Sequence, residues 1–135
     1  MIFTLQDIPG IATELLKKDA RIYTFSGSLG AGKTTLIQQM LRQLGVAESI
    51  QSPTYTYVCR YQAQDGRKIL HFDLYRLRSV DDFIQAGFDE YLYDDSNICF
   101  IEWPEIIVSL TQARADVVVV MLEYCTDTTR SINSM

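Results

Sequence analysis

Arg21-Ile22-Tyr23-Thr24-Phe25-Ser26-Gly27-Ser28-Leu29-Gly30-Ala31-Gly32-Lys33-Thr34-Thr35 is the stretch that decides the fold. Its first five residues alternate and are β-prone, which reads as a strand. They run straight into Gly27 to Thr34, which match G-x-x-x-x-G-K-[ST] at every fixed position. Leu36, Ile37, Met40, Leu41 and Leu44 then mark one helical face, and Gly45 stands where a C-cap glycine belongs. Strand, glycine loop and helix in this order form a phosphate-binding unit. The glycines let backbone N–H groups converge on an anion without a Cβ in the way, and the helix turns its positive dipole end toward it. Gly27, Gly30, Gly32, Lys33 and Thr34 are therefore the candidate nucleotide-binding residues that the motif itself supplies. Lys33 is placed to reach the β- and γ-phosphates, and Thr34 to offer its hydroxyl to Mg²⁺.

Elements on either side fit an α/β domain. Upstream, Ile8, Ile11, Ala12, Leu15 and Leu16 lie on one helical face, which predicts a helix over about residues 8–18, capped by Asp7 and with Pro9 in its first turn. Downstream, Thr54 to Tyr61 and Lys68 to Leu74 are β-branched and aromatic runs on either side of Asp65-Gly66, an antiparallel hairpin. Ser79-x-x-Asp82 resembles a capping box and opens a short helix carrying Phe83 and Ile84. Ile98 to Ile101 and Val117 to Leu122 are unbroken apolar runs, as expected of strands buried on both faces. The polar tail from Thr126 to Met135 reads as an edge strand or a frayed end. The expected architecture is α/β: a P-loop NTPase-like single domain over residues 1–135. Its mixed β-sheet is flanked by helices and has an antiparallel hairpin after the P-loop helix.

Composition narrows the function. The 135 residues are 47% hydrophobic and carry 12 Lys and Arg against 17 Asp and Glu, a net charge of −5. A balance this acidic argues against direct nucleic-acid binding by the chain alone, because such binders gather Lys and Arg on phosphates. No apolar run approaches the roughly 20 residues of a membrane-spanning helix, and no basic segment precedes an apolar stretch at the start, so the expected location is the cytoplasm, without membrane association. Cys59, Cys99 and Cys125 lack paired spacing and read as buried, reduced thiols. With His71 as the only histidine, a structural zinc site is not expected.

Hydrolysis needs more than a phosphate loop: a carboxylate to hold the metal and a group to place the attacking water. Asp73 follows Ile69-Leu70-His71-Phe72, and Glu102 follows Ile98-Cys99-Phe100-Ile101. Acids at the carboxyl ends of parallel strands face the crevice where ligands bind. Glu102 ends the more buried run and is the better metal ligand beside Thr34. Two unpaired carboxylates beside a triphosphate repel at close range, so such a site needs a divalent cation to assemble. His71 reads as a strand histidine with a satisfied partner rather than as a base.

Four segments then identify a resemblance. Gly-Ser-Leu-Gly-Ala-Gly-Lys-Thr-Thr (27–35), Ser-Pro-Thr-Tyr-Thr (52–56), His-Phe-Asp-Leu-Tyr-Arg-Leu (71–77) and Glu-Trp-Pro (102–104) resemble, in order and spacing, the signatures of the TsaE family. These are small ATPases of bacterial threonylcarbamoyladenosine biosynthesis on tRNA. The resemblance runs from the first strand to Glu-Trp-Pro and is weakest at both termini, where the family makes its adenine-side contacts. Position 28 is usually Asp in the family and is Ser here. The resemblance implies ATP and Mg²⁺ as cofactors and slow hydrolysis in complex with threonylcarbamoyl-transferase subunits of the TsaB and TsaD families. It also implies that Gly30 to Thr35 cradle the phosphates, that Thr34 and Glu102 ligate Mg²⁺, and that Thr54 lies in a switch-like loop near the γ-phosphate. Asp73 and Lys33 would join Thr54 in hydrolysis, with Trp103 beside the site.

Two other readings share the phosphate loop. A small-molecule kinase would need an arginine-bearing lid, and Arg76, Arg78 and Arg114 are too scattered to draw one. A nucleotide-gated assembly subunit would bind ATP with little turnover. No N/T-K-x-D tetrapeptide marks a guanine site. The acids Asp81, Asp82, Asp89, Glu90, Asp94 and Asp95 form either a solvated helix face or a docking surface for a basic partner.

Overall fold

The structure is a computed structural model that describes residues 1–53 and 55–135. The strands are β1 (Ile2–Phe3), β2 (Ile22–Ser26), β3 (Val58–Gln62), β4 (Lys68–Asp73), β5 (Asn97–Glu102), β6 (Val117–Tyr124) and β7 (Arg130–Ser134). The helices are α1 (Ile8–Leu16), α2 (Lys33–Gln43), α3 (Val80–Gln85), α4 (Asp89–Tyr93) and α5 (Val108–Thr111), with 3₁₀ turns at Leu5–Asp7 and Pro104–Ile107. All seven strands form one mixed sheet in the order β1-β7-β6-β2-β5-β4-β3. The central four, β6, β2, β5 and β4, run parallel, while β3, β7 and β1 add antiparallel edges. This is the α/β architecture with a mixed sheet and a hairpin after the glycine-loop helix that the sequence predicts.

The sheet separates two apolar layers. On one face α1 and α2 cover Tyr23, Phe25, Ile69, Ile98 and Phe100. Leu36, Ile37, Met40 and Leu41 of α2 are almost completely buried, and each contributes roughly 1.5–3 kcal/mol relative to exposure. On the other face α3, α4 and the Pro104–Ile107 turn pack Phe83, Leu92 and Ile107 onto Ile22, Phe72 and Ile101. Because β2 and β5 are covered on both sides, they carry the near-continuous apolar sequences of parallel strands.

Several local expectations need correction. The run from Val117 to Leu122 is buried on one face only: Val118, Val120 and Leu122 face the core, while Met121 is 44% exposed. The helices of the second layer lie over β4 and β5, which leaves β6 half covered. Strand β3 begins at Val58: of the run expected from residue 54, which itself lies outside the described residues, Tyr57 has φ 66° and breaks the extension. Asp7 stands at the N-cap of α1 as expected, but its side chain makes no cap hydrogen bond; the carboxylate turns back and accepts from the Thr4 backbone N–H at 2.8 Å. Ser79 does cap α3, accepting from the Asp82 N–H. Arg130–Ser134 is not an outermost strand but lies between β6 and β1. Of the three thiols, Cys99 is buried, Cys59 half-buried and Cys125 exposed. Among the described residues no helix is long and apolar enough to cross a membrane.

Candidate functional site

The glycine loop leaves the sheet tightly packed and opens outward. Gly27 has φ 147°, and a Cβ there would lie 2.1 Å from the Leu122 carbonyl oxygen. Only a residue without a side chain can pass that close to β6. Gly30 (φ 79°) and Gly32 (φ 100°) also need left-handed backbone, but an added Cβ on either meets nothing within 4 Å. The space beside them is a cavity of about 860 Å³, within the size range of small-molecule and nucleotide sites. Gly32 leads directly into Lys33, the first residue of α2. The N–H groups of that first turn have no intrahelical acceptor, and Lys33, Thr34 and Thr35 all line the cavity.

Lys33 is 5% exposed. Its ammonium donates to the Gly27 and Ser28 carbonyls and lies 3.8 Å from the centre of the Trp103 ring. Burial lowers its pKa, and the negative charge of Glu102, Glu105 and Asp73 works against that. Trp103 reaches the ammonium through an unusual backbone, φ 56° and ψ 58°, a left-handed conformation rare for a bulky residue. Its N–H donates to the Phe25 carbonyl and its ring packs against Tyr75 at 4.8 Å.

The two predicted acids meet at the same height. Asp73 and Glu102 are paired positions of the parallel β4–β5 ladder, so they share one face of the sheet. Glu102 is 3% exposed, a position that a carboxylate occupies only when its oxygens are paired. Thr34 Oγ1 donates to Oε1 at 2.8 Å, and His71 Nε2 lies 2.7 Å from Oε2. The Asp73 Oδ1 accepts from the Tyr75 N–H at 3.0 Å. Among the described residues no three His, Cys, Asp or Glu side chains converge as a metal centre. Thr34 and Glu102 offer neighbouring side-chain oxygens, the ligand type that a hard divalent cation takes.

The cavity gathers most of the predicted residues: Gly30, Ala31, Gly32, Lys33, Thr34, Thr35, Asp73, Glu102 and Trp103 line it. Gly27 stands outside the lining and serves through its backbone. Thr54 lies outside the described residues. Of the three scattered arginines, Arg76 alone lines the cavity, over the Tyr55 ring at 4.6 Å, whereas Arg114 pairs with Asp116. The far end of the cavity is built by Phe3 to Gln6 and by Asp127, Thr128 and Arg130. Arg130 ties that end to the loop, donating to the Gly30 carbonyl at 2.8 Å while stacking on Tyr124. Sequence reasoning missed Arg130 and Tyr75. Tyr75 had a signal, its place two residues after Asp73, while the distant Arg130 had none.

Fold and loop place the chain among α/β domains that carry a phosphate-loop sequence at a strand-to-helix turn. The model of the family described as threonylcarbamoyl adenosine biosynthesis protein TsaE matches residues 4–132, and the chain belongs to that family. It is similar to the tRNA threonylcarbamoyladenosine biosynthesis protein TsaE of Haemophilus influenzae, with 43% identity over 95 residues, covering 70% of this chain and 59% of that protein. The proteins of the same name from Treponema pallidum and Bacillus subtilis are 37% and 34% identical, with 74% and 79% of this chain and 72% and 66% of theirs covered. The chain thus spans less than two-thirds of the length of the Haemophilus and Bacillus proteins that it matches. In structure it is similar to the crystal structure of Bacillus subtilis YdiB, with a TM-score of 0.68 and 26% identity over 98% of this chain and 84% of that one.

Proposed function

We propose that this chain binds Mg-ATP in the cavity and hydrolyses it slowly. In this reading it is a cytoplasmic accessory ATPase for the threonylcarbamoyladenosine modification of tRNA, acting with transferase subunits of the TsaB and TsaD families. The observation that carries the reading is the convergence of Lys33, Thr34 and Glu102 at the base of the glycine loop, with Thr34 and Glu102 joined at 2.8 Å.

Each residue then has a task that follows from its chemistry. The loop N–H groups and the start of α2 bind phosphate oxygens by backbone donors and dipole. Lys33, which lines the cavity and donates to two loop carbonyls, would exchange these acceptors for phosphate oxygens. Trp103 covers the ammonium and keeps water from it. Thr34 and Glu102 would hold Mg²⁺, which would supply positive charge to offset that of the nucleotide's phosphates. Asp73, on the same face as Glu102 and bordering the cavity, orients the attacking water. The Phe3–Gln6 segment and Arg130 border the same cavity and extend it beyond the phosphate loop, without themselves marking where the base lies. The acidic surface has local explanations as well: Asp81 and Asp82 lie in the first turn of α3, and Asp89 and Glu90 in that of α4, where a helix favours negative charge.

The test is phosphate release by the purified chain with Mg-ATP, alone and with the two transferase subunits. Slow release that rises with the partners supports the ATPase. Binding without turnover in either case favours the nucleotide-gated subunit, and rapid partner-independent transfer to a small acceptor favours a kinase.

A further inference from the structure

His71 is completely buried in the middle of β4, a costly place for an imidazole with a nitrogen left bare. Its Nδ1 has no hydrogen-bond partner among the described residues. Its Nε2 has one, the Glu102 Oε2 at 2.7 Å. That carboxylate is the one whose other oxygen accepts from Thr34. In sequence His71 and Glu102 are far apart; across the parallel ladder they are diagonal neighbours, because Phe100 is the Cα partner of His71.

These contacts fix both groups. A carboxylate held at both oxygens cannot turn about its terminal torsion, so Oε1 stays directed at the Thr34 hydroxyl. The imidazole is fixed in turn: with its proton on Nδ1, a lone pair on Nε2 would face a carboxylate oxygen across 2.7 Å, acceptor against acceptor. With Glu102 ionised, a neutral ring can make the bond only as the tautomer with its proton on Nε2. We propose that His71 is a positioning residue which, in that tautomer, holds Glu102 in the orientation required to ligate the divalent cation with Thr34. This rests on the Mg-nucleotide reading of the site. His71 is fully buried and does not line the cavity, so its influence is exerted through the carboxylate.

The experiment measures Mn²⁺ affinity by electron paramagnetic resonance on the full chain saturated with a non-hydrolysable ATP analogue, beside analogue affinity without metal. His71→Leu removes the donor, and His71→Gln keeps an N–H near the position of Nε2. Loss of a partner behind a metal ligand typically weakens metal affinity roughly 10- to 100-fold, and that loss is expected for His71→Leu, with most of it recovered in His71→Gln and metal-free analogue affinity unchanged. A folded His71→Leu protein with wild-type Mn²⁺ affinity overturns the inference and leaves the nucleotide reading standing. Equal loss of Mn²⁺ and metal-free binding in both variants also overturns it, since His71 would then be structural only. Failure of the wild type to bind the analogue overturns the nucleotide reading itself. If neither variant folds, the wild type decides. As the only histidine, His71 gives a single imidazole signal in a long-range ¹H–¹⁵N spectrum: a proton on Nε2 supports the inference, and a ring protonated on Nδ1 alone refutes it.

Discussion

Gly27→Ala and Gly30→Ala place the same methyl group three residues apart in one loop, yet the structure gives them different consequences. Both glycines have positive φ, at 147° and 79°. For Gly30 the penalty is conformational alone, about 1–2 kcal/mol, because an added Cβ meets nothing within 4 Å. At Gly27 the backbone lies in a region open essentially only to glycine, which costs about 1–3 kcal/mol. The new Cβ also arrives 2.1 Å from the Leu122 carbonyl oxygen. Relieving that contact means moving either the loop or β6, with a further cost of about 1–3 kcal/mol. For a domain of this size each kcal/mol lowers the Tm by about 4 °C. Gly30→Ala should therefore lose about 4–8 °C and Gly27→Ala about 8–24 °C. Thermal unfolding followed by far-ultraviolet circular dichroism, without nucleotide, reads both. Equal melting temperatures for the two variants would refute the packing of the loop against β6.

Other expectations follow from the same geometry. Asp73→Ala should keep nucleotide affinity and lose phosphate release, measured by equilibrium binding beside a phosphate assay; normal release would remove Asp73 from the chemistry. Burial holds the Lys33 pKa below its ordinary 10.5, so the folded state favours the neutral amine more than the unfolded chain does. The resulting cost to stability is full below the folded pKa and fades as pH rises through the unfolded value. Wild type should accordingly gain stability relative to Lys33→Met as the pH is raised toward 10.5, read from urea midpoints at about pH 7 and about pH 10. Burial also pushes the Cys99 thiol up to about 12, whereas Cys125 is exposed. A thiol reagent should modify Cys125 first and reach Cys99 only when the chain unfolds.

The central strand, loop and helix were legible because a glycine pattern, a β-prone run and a helical periodicity agree over one short stretch. Asp73 and Glu102 could each be placed at a strand end for the same reason. Their shared height could not, because register between β4 and β5 is set by packing of whole strands and leaves no periodic trace. The His71–Glu102 contact depends on that register and was equally hidden. Strand β1 has two residues and α5 has four, too few for any period to show. The left-handed Trp103 contradicts both what an aromatic residue prefers and the extended backbone that a following proline favours, so nothing in the sequence hints at it. Arg130 reaches Gly30 from across the sheet, a contact between residues a hundred positions apart.

The account stands most directly on whether the cavity binds ATP through its glycine loop and divalent-cation pair. Isothermal titration of ATP into wild type and Lys33→Ala, each with and without Mg²⁺, measures this with thermal unfolding as the control for folding. The account predicts binding by wild type that Mg²⁺ strengthens, and none by a folded Lys33→Ala protein. Undiminished binding by Lys33→Ala, or wild-type binding indifferent to Mg²⁺, would contradict it.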